Sequence, residues 1–451
     1  MAWNVLILGG GFGGLTAARR LERKLPAHSA NVTLVNDVNF MLYTPLLPGA
    51  AAGTLEPRHV VVPLREHLRK THLYLGHVLG ADPERRVVRV RALGGAEEEL
   101  RYDQLIVALG STSRTLPIPG LAEHALGFKT LSEAIALRNR LLQTLEQAEG
   151  EDDPDVCREL LSYVFVGGGY AGLEGLAELQ DFAVDVIERY PRARLHGVRF
   201  MLVEAKDRVM NEISADLAAF ASAELRRRGI EIRTNTQIRE VTDRSVELDD
   251  GEVVPARTVV WTAGVKSVPA VAELGLPLED GRIAADRFTA VPGHPGVWAI
   301  GDAGAVPDPA RKRQTASPPT AQHVVRQAKV AADNVAHALA GEPHRKRPFR
   351  YRTLGVFVDM GRHQAVAETF GIKWRGFPAW FLARTYHLAL MPGTRRARLV
   401  TDWTTGLLFG RDSAELGQLG HPPPLEEQTS GGSAAPGDGR ADVAAAQIPP
   451  D

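Results

Sequence analysis

A strand that runs into a glycine-rich turn and then a helix constrains a chain strongly, and this chain contains two of them. Residues 3 to 8, WNVLIL, are a short apolar run of the kind shown by a parallel strand covered on both faces. They lead into GGGFGG and the helically spaced LTAARRLERKL. Gly9, Gly11 and Gly14 fit the spacing GxGxxG: the first makes the tight turn, the second lets a pyrophosphate approach the backbone, and the third lets helix and strand come close. The start of the helix adds unpaired N–H groups and a partial positive charge. A further strand, NVTLVN, follows. The pattern returns 158 residues later, where YVFVGGGYAGLEGLAELQ at 163 to 180 carries Gly167, Gly169 and Gly172. Two such turns in one chain imply two bound dinucleotides.

The residue that ends the next strand discriminates between cofactors. After the second turn, the strand VRFMLVE ends on Glu204, a carboxylate able to accept hydrogen bonds from both ribose hydroxyls and to repel a 2′-phosphate. NADH is therefore favoured over NADPH, although Lys206 and Arg208 lie close enough to meet such a phosphate. After the first turn the equivalent position is Asn36, with Asp37 next. Either the Asn36 amide accepts a ribose hydroxyl, more weakly than a carboxylate would, or Asn36 is a turn residue and Asp37 points inward. The expected fold is α/β, with two Rossmann-like dinucleotide-binding domains and a smaller C-terminal domain.

Composition narrows the partners. With 451 residues the chain is long enough for about three domains. Its 53 Lys and Arg against 54 Asp and Glu give no electrostatic reason to seek nucleic acid. A single cysteine, Cys157, cannot form an internal disulfide, a CxxC pair or a thiolate metal site, which fits a reducing cytoplasm; no metal site is expected. The N-terminus has no basic leader, and no run approaches the roughly 18 apolar residues of a spanning helix, so neither export by that route nor a membrane span is expected. Charge is uneven, however. Residues 345 to 412 hold thirteen Lys and Arg against four Asp and Glu, and three of the six tryptophans, Trp374, Trp380 and Trp403. Residues 417 to 451 are poor in bulky apolar side chains and rich in Pro, Gly, Ala and acid, which predicts a disordered tail.

Five ordered segments, GGGFGG, YDQLIVALGSTSRTLPIPG (102 to 120), VGGGYAGLE, VVWTAGV (259 to 265) and VWAIGDAG (297 to 304), resemble those of the two-dinucleotide-domain flavoproteins. Within that superfamily the chain looks like the type II NADH:quinone oxidoreductases over roughly residues 4 to 412. The resemblance implies an FAD domain of residues 1 to 115 and 290 to 345, an inserted NADH domain of residues 116 to 289, and a C-terminal membrane or dimer domain of residues 346 to 416. It also implies that FAD is held by Gly9, Gly11, Phe12, Gly13, Gly14, Asn36, Val78, Ala108, Gly110, Gly301 and Asp302, the last on the flavin ribitol. NADH would be held by Gly167, Gly169, Gly172, Glu204 and Gly264. Glu174 matches a family glutamate near nicotinamide and flavin; as sequence alone it is equally a capping or surface carboxylate. Sulfide:quinone oxidoreductases and disulfide reductases share this architecture but need paired cysteines, which Cys157 alone cannot supply.

The acceptor is the less legible half. The family approaches quinone with a segment resembling AQxxxQ, here Ala321 and Gln322, but the position four residues on is Arg326 and the second glutamine, Gln327, comes at five. Five residues turn a helix by about 500°, so Arg326, not Gln327, shares the Gln322 face. A guanidinium there would pair with a quinone oxygen or with Glu174, or reshape the pocket against quinones. Tyr43, Pro45 and Leu46 are the candidate walls of a tunnel for menaquinone or ubiquinone. Phe377, Trp380 and Phe381, and Leu399, Trp403 and Leu407, recur at helical spacing beside Arg384, Arg395, Arg396 and Arg398. This suits peripheral contact through residues 371 to 411 with the inner face of the cell membrane, or packing on the FAD domain or in a homodimer. The alternatives to quinone reduction are a soluble reductase of a small redox protein and a flavin-bearing, NADH-responsive binding protein.

Overall fold

The computed structural model describes residues 2–308, 316–353 and 355–415. The tail expected at 417 to 451 lies outside the described residues. Its first body is built on a seven-stranded sheet ordered Val297–Ala299, Gln104–Val107, Trp3–Leu8, Ala30–Asn36, His72–Asp82, Val87–Ala92, Glu97–Arg101. The first five strands run parallel and the last two turn back as an antiparallel meander. The apolar run read from the sequence is the reason the Trp3–Leu8 strand is central: its last four residues are buried, with helices on one side and a different apolar layer on the other. On the helical side, Leu15, Ala18 and Leu21 of the Phe12–Lys24 helix meet Ala328, Ala331 and Val335 of the Ala321–Leu339 helix. Small side chains bring these helices close, and Arg20 clamps them by two hydrogen bonds of 2.8 Å to Asp333.

The second body has a wholly parallel five-stranded sheet ordered Ala125–Gly127, Thr258–Trp261, Ser162–Val166, Arg199–Glu204, Glu231–Thr234. The Leu131–Gly150, Tyr170–Ile187 and Ala215–Arg227 helices cover one face, and a three-stranded meander over residues 238–255 covers the other. The chain passes from the first sheet to the second and back. Ser111–Ser113 and Val265–Ser267, which lie in the two crossings, pair antiparallel and tie them together.

A third layer bridges the two bodies. Strands Gly355–Asp359, Ala365–Thr369 and Ile372–Arg375 form an antiparallel sheet, followed by helices Phe377–Leu390 and Arg395–Phe409. Val358, Met360 and Val366 enter the core of the second body, while Met391 and Leu399 enter that of the first. The C-terminal aromatics are therefore divided. Trp380 and Trp403 turn inward, whereas Phe377, Phe381, Leu407, Leu408 and Phe409 are exposed. No described helix is long and apolar enough to cross a membrane.

Candidate functional site

The two glycine turns are built alike. Gly9 has φ +95° and Gly167 φ +109°, left-handed values that side chains avoid. A Cβ on Gly14 would lie 1.7 Å from the Gly9 carbonyl oxygen, and one on Gly172 would lie 2.0 Å from that of Gly167. Gly11 and Gly169 differ from these: a Cβ there would meet nothing within 4 Å, leaving each turn open where a pyrophosphate would sit against the helix start. Gly13 faces inward, with Val324 where its Cβ would stand. Both strand-end residues brace their own turns. Asn36 Oδ1 accepts from Gly10 N at 2.6 Å, and Glu204 Oε2 accepts from Gly168 N at 2.6 Å. Of the two readings of the first strand end, this places Asn36 inward, while Asp37 is exposed and faces His77.

Around the first turn, Phe12 stands edge-on to Tyr43, Val78 is buried at a bulge in its strand, and Ala108 and Gly110 follow the end of the Gln104–Val107 strand. A Cβ at Gly110 would also meet only open space. Gly301 and Asp302 follow the edge strand, at the carboxyl end of the sheet where such folds bind ligands. Their turn is held from three sides. Gly301 N donates to Gln327 Oε1 at 2.8 Å, Arg282 donates to the Gly301 carbonyl at 2.8 Å, and Ser111 Oγ donates to Asp302 Oδ2. Lys129, from the second body, donates to Ser111 Oγ at 2.6 Å and lies 3.9 Å from Asp302. Burial lowers the affinity of Lys129 for its proton, and the Asp302 charge opposes that. Sequence reasoning missed Lys129: a lysine ahead of a helix cap carries no motif of its own.

At the second turn, Gly264 stands just before the crossing strand Val265–Ser267, with φ +88°, and is exposed. Lys206 and Arg208 do not converge on the strand end. Lys206 offers its backbone N–H to Glu204 Oε1 at 2.9 Å, and Arg208 donates to the carbonyls of Asn211 and Ile213.

A pocket lies where all three layers meet. It is lined by Pro45, Leu46 and Pro48 of the first body, Glu174 and Glu178 of the second, and Phe357, Asp359, Arg384, His387 and Trp403 of the third. Pro45 and Leu46, read from the sequence as candidate tunnel walls, are among its lining residues. Tyr43 does not line it: at 3% exposure it stands behind, with its hydroxyl 3.3 Å from His387 Nδ1. Gln322 and Arg326 are not among the residues that line this pocket. Gln322 is engaged by Tyr351 Oη at 2.5 Å and donates to the Gly355 carbonyl, while the Arg326 guanidinium lies 4.0 Å over the Tyr351 ring. The aromatic ring supplies a nearer partner for that cation than Glu174 does.

Glu174 accepts a 2.9 Å hydrogen bond from Asp359 N and has no ion pair among the described residues. Burial therefore holds its carboxyl well above the usual range. Arg384 is sandwiched between Trp380 and Trp403, its guanidinium 4.6 and 4.8 Å from their ring centres and 3.9 Å from both Glu178 and Asp359. Arg395 is likewise buried and donates to the Arg58 carbonyl, and Arg396 caps the preceding helix through the Ala389 and Met391 carbonyls. Burial and the nearby Arg384 push His387 down to about 4, so it is neutral at physiological pH. Cys157 is buried and points at the Ala148 and Glu151 carbonyls.

The pyridine nucleotide-disulphide oxidoreductase family matches residues 3–333. The chain is 30% identical over 435 residues to a type II NADH:quinone oxidoreductase of Mycobacterium tuberculosis, covering 92% of this chain and 89% of that one. It is 29% identical over 417 residues to a probable NADH dehydrogenase of Dictyostelium discoideum, covering 91% and 90%. Among solved structures, that of NDH2 from Plasmodium falciparum in complex with NADH superposes with a TM-score of 0.85 at 19% identity, over 92% of this chain and 100% of that one, and so shares the fold. On these grounds the chain belongs to the pyridine nucleotide-disulphide oxidoreductase family and, within it, to the type II NADH:quinone oxidoreductases.

Proposed function

We propose that the chain is an FAD-dependent NADH:quinone oxidoreductase whose acceptor enters the three-layer pocket. The observation that carries this reading is the pocket's composition. Pro45, Leu46, Phe357 and Trp403 give an apolar lining for a quinone ring, beside carboxyl groups able to supply a proton. When bound, FAD supplies a two-electron relay between nicotinamide and quinone. The residues do the positioning. Gly11 and Gly169 open the backbone to the two pyrophosphates, Asn36 and Glu204 brace the turns, and Asp302 with Ser111 and Lys129 orients polar groups along the flavin chain. Glu174, with no ion pair among the described residues, has its carboxyl raised by burial beside the acceptor. We assign Gln322 and Arg326 to support of the Tyr351 region, behind the pocket wall.

We further propose that the chain docks on a membrane surface through Phe377, Phe381, Leu407, Leu408 and Phe409, with Arg398 beside them, on the cytoplasmic leaflet where anionic lipid attracts cations. The same apolar face would serve a homodimer in the absence of lipid. We also propose that the first domain is assembled from segments on either side of the second, and that residues 271 to 285, inside the 116 to 289 range expected for the second, go with the first, because Val271, Leu274 and Ile283 pack in its core.

The decisive experiment is anaerobic. Flavin-loaded protein should bleach with NADH and recover its colour on addition of a menaquinone or ubiquinone analogue. Bleaching with no recovery by either would overturn the reading. Co-sedimentation with anionic vesicles, lost on replacing Leu407, Leu408 and Phe409 by serine, tests the membrane face.

A further inference from the structure

Three carboxyl groups share the acceptor pocket, and their partners are unequal. Glu178 receives the Thr54 hydroxyl at 3.2 Å and lies 3.9 Å from Arg384 and 3.8 Å from Arg411. Asp359 Oδ1 accepts from Gly361 N at 3.0 Å, and its Oδ2 lies 3.9 Å from Arg384. Glu174 has the Asp359 N–H and, among the described residues, no cation. One guanidinium thus serves two carboxylates, and the third has none. The other charged groups packed around them do not redress this. Asp181 takes Arg228 at 2.9 Å and Arg362 at 2.6 Å for itself, and His387 is neutral. Arg411, which stands behind Glu178, also lies 3.8 Å from Asp181 and 3.7 Å from Asp185, whose side chain is 59% exposed.

Resting on the quinone reading above, we propose that Asp359 is a second acid of the acceptor pocket, that it and Glu174 together hold the proton the quinone takes up, and that the pair is reprotonated from the solvent side at Asp185 by way of Glu178, which Arg411 holds in place. The balance is simple. Converting quinone to quinol consumes two electrons and two protons. NADH supplies both electrons and one proton as a hydride equivalent. The second proton leaves a carboxyl O–H of the pair as a quinone O–H forms, and the carboxylate that remains is reprotonated from solvent. The environment agrees, because burial and the neighbouring Glu178 charge raise Asp359 to about 7.

Asp359→Asn keeps the side chain's shape and removes its proton. In stopped-flow mixing of the NADH-reduced holoenzyme with a short-chain ubiquinone analogue, this variant should be reoxidised about 100-fold or more slowly than the parent, a typical loss for general-acid catalysis. It should also lose the parent's fall in reoxidation rate above neutral pH, and Asp359→Glu should restore both. An infrared difference spectrum of the parent on binding the analogue should show carboxylic-acid C=O bands that shift in D2O. One of them should be missing from Asp359→Asn. Reoxidation of that variant at the parent's rate and pH profile would overturn the proposal. If the variant does not fold, the parent spectrum decides, and no responding carboxylic-acid band would overturn it equally. A parent never reoxidised by any quinone analogue would instead end the quinone reading itself.

Discussion

The two nucleotide turns are copies in backbone and opposites in use. Shifted by 158 residues, Gly9, Gly11 and Gly14 fall on Gly167, Gly169 and Gly172, with the same positive φ at the first and the same crowding at the third. The helices that follow diverge. Thr16 and Arg20 in the first copy stand where Glu174 and Glu178 stand in the second, and Arg20 spends its charge clamping Asp333 of a neighbouring helix. The first helix is thus committed to packing two layers of one body. The second carries carboxyl groups to the seam between bodies, where a packing helix would have placed apolar residues. Identical local physics fixes the turn, while the side chains one and two helical turns on decide whether the element holds the fold together or faces chemistry.

The largest effect should come from the crowded glycines, and it should differ between copies. Gly14→Ala forces a Cβ to 1.7 Å from a backbone oxygen in the body whose strands enclose the chain's first and last crossings, so loss of FAD and of folded protein is expected. Gly172→Ala meets the same clash at 2.0 Å in the other body, and should leave a yellow protein that no longer bleaches with NADH. Flavin absorbance per chain and NADH titration separate the two outcomes. Equal loss of FAD from both variants would contradict the assignment of one cofactor to each turn. Gly11→Ala and Gly169→Ala sharpen the test, because neither side chain meets protein. Thermal stability of the cofactor-free chain should be unchanged while binding of FAD and of NADH, respectively, falls.

A smaller difference is expected from the strand ends. Glu204→Gln removes a charge-assisted bond to Gly168 N and the repulsion of a 2′-phosphate. NADH affinity should fall about ten- to a hundredfold, in line with the roughly 1.5 to 3 kcal/mol of a hydrogen bond to a charged group, while NADPH changes less. The counterpart is Asn36→Asp, which keeps an acceptor for Gly10 N and should leave FAD retention nearly unaltered. Isothermal titration with both nucleotides measures the first and flavin release on dialysis the second. An unchanged NADH-to-NADPH ratio in Glu204→Gln would remove its assigned role.

Much of this was legible in the sequence because glycine turns are local: φ, crowding and the strand-to-helix switch are set within six residues, and both copies stand where the spacing put them. Asp302, Glu174, Pro45 and Leu46 were also indicated by short motifs. What escaped notice is held together by distance along the chain. Lys129 reaches Ser111 and Asp302 across the boundary of two bodies, and Asp359 meets Glu174 over 185 positions. Helical spacing beside aromatics left Arg384 open between lipid and packing, because the spacing is the same for a lipid-facing residue and for one placed between two indoles. Gln322 and Arg326 shared a helix face as read, and that face looks onto Tyr351, a partner no periodicity could supply.

The finest test of the divergence between the two helices is a dependence of stability on pH at the position where Thr16 and Glu174 correspond. Burial raises the Glu174 carboxyl, so between its unfolded value and its raised folded value the folded state binds the extra proton. Stability from this group is therefore fully present below the unfolded carboxylate range and declines as pH rises towards the raised value, at up to about 1.4 kcal/mol per pH unit for one proton. Glu174→Gln should flatten that decline and raise stability above neutral pH relative to the parent, as judged by denaturant midpoints across the range. Thr16→Glu, in the copy built for packing, should leave the pH slope near the parent's, because Arg19, three positions on in the same helix, favours the ionised carboxylate. A parent whose stability does not fall with pH on the Glu174→Gln comparison would mean that Glu174 is ionised in the fold, and the second helix would then carry a charged residue to the seam in place of a neutral acid.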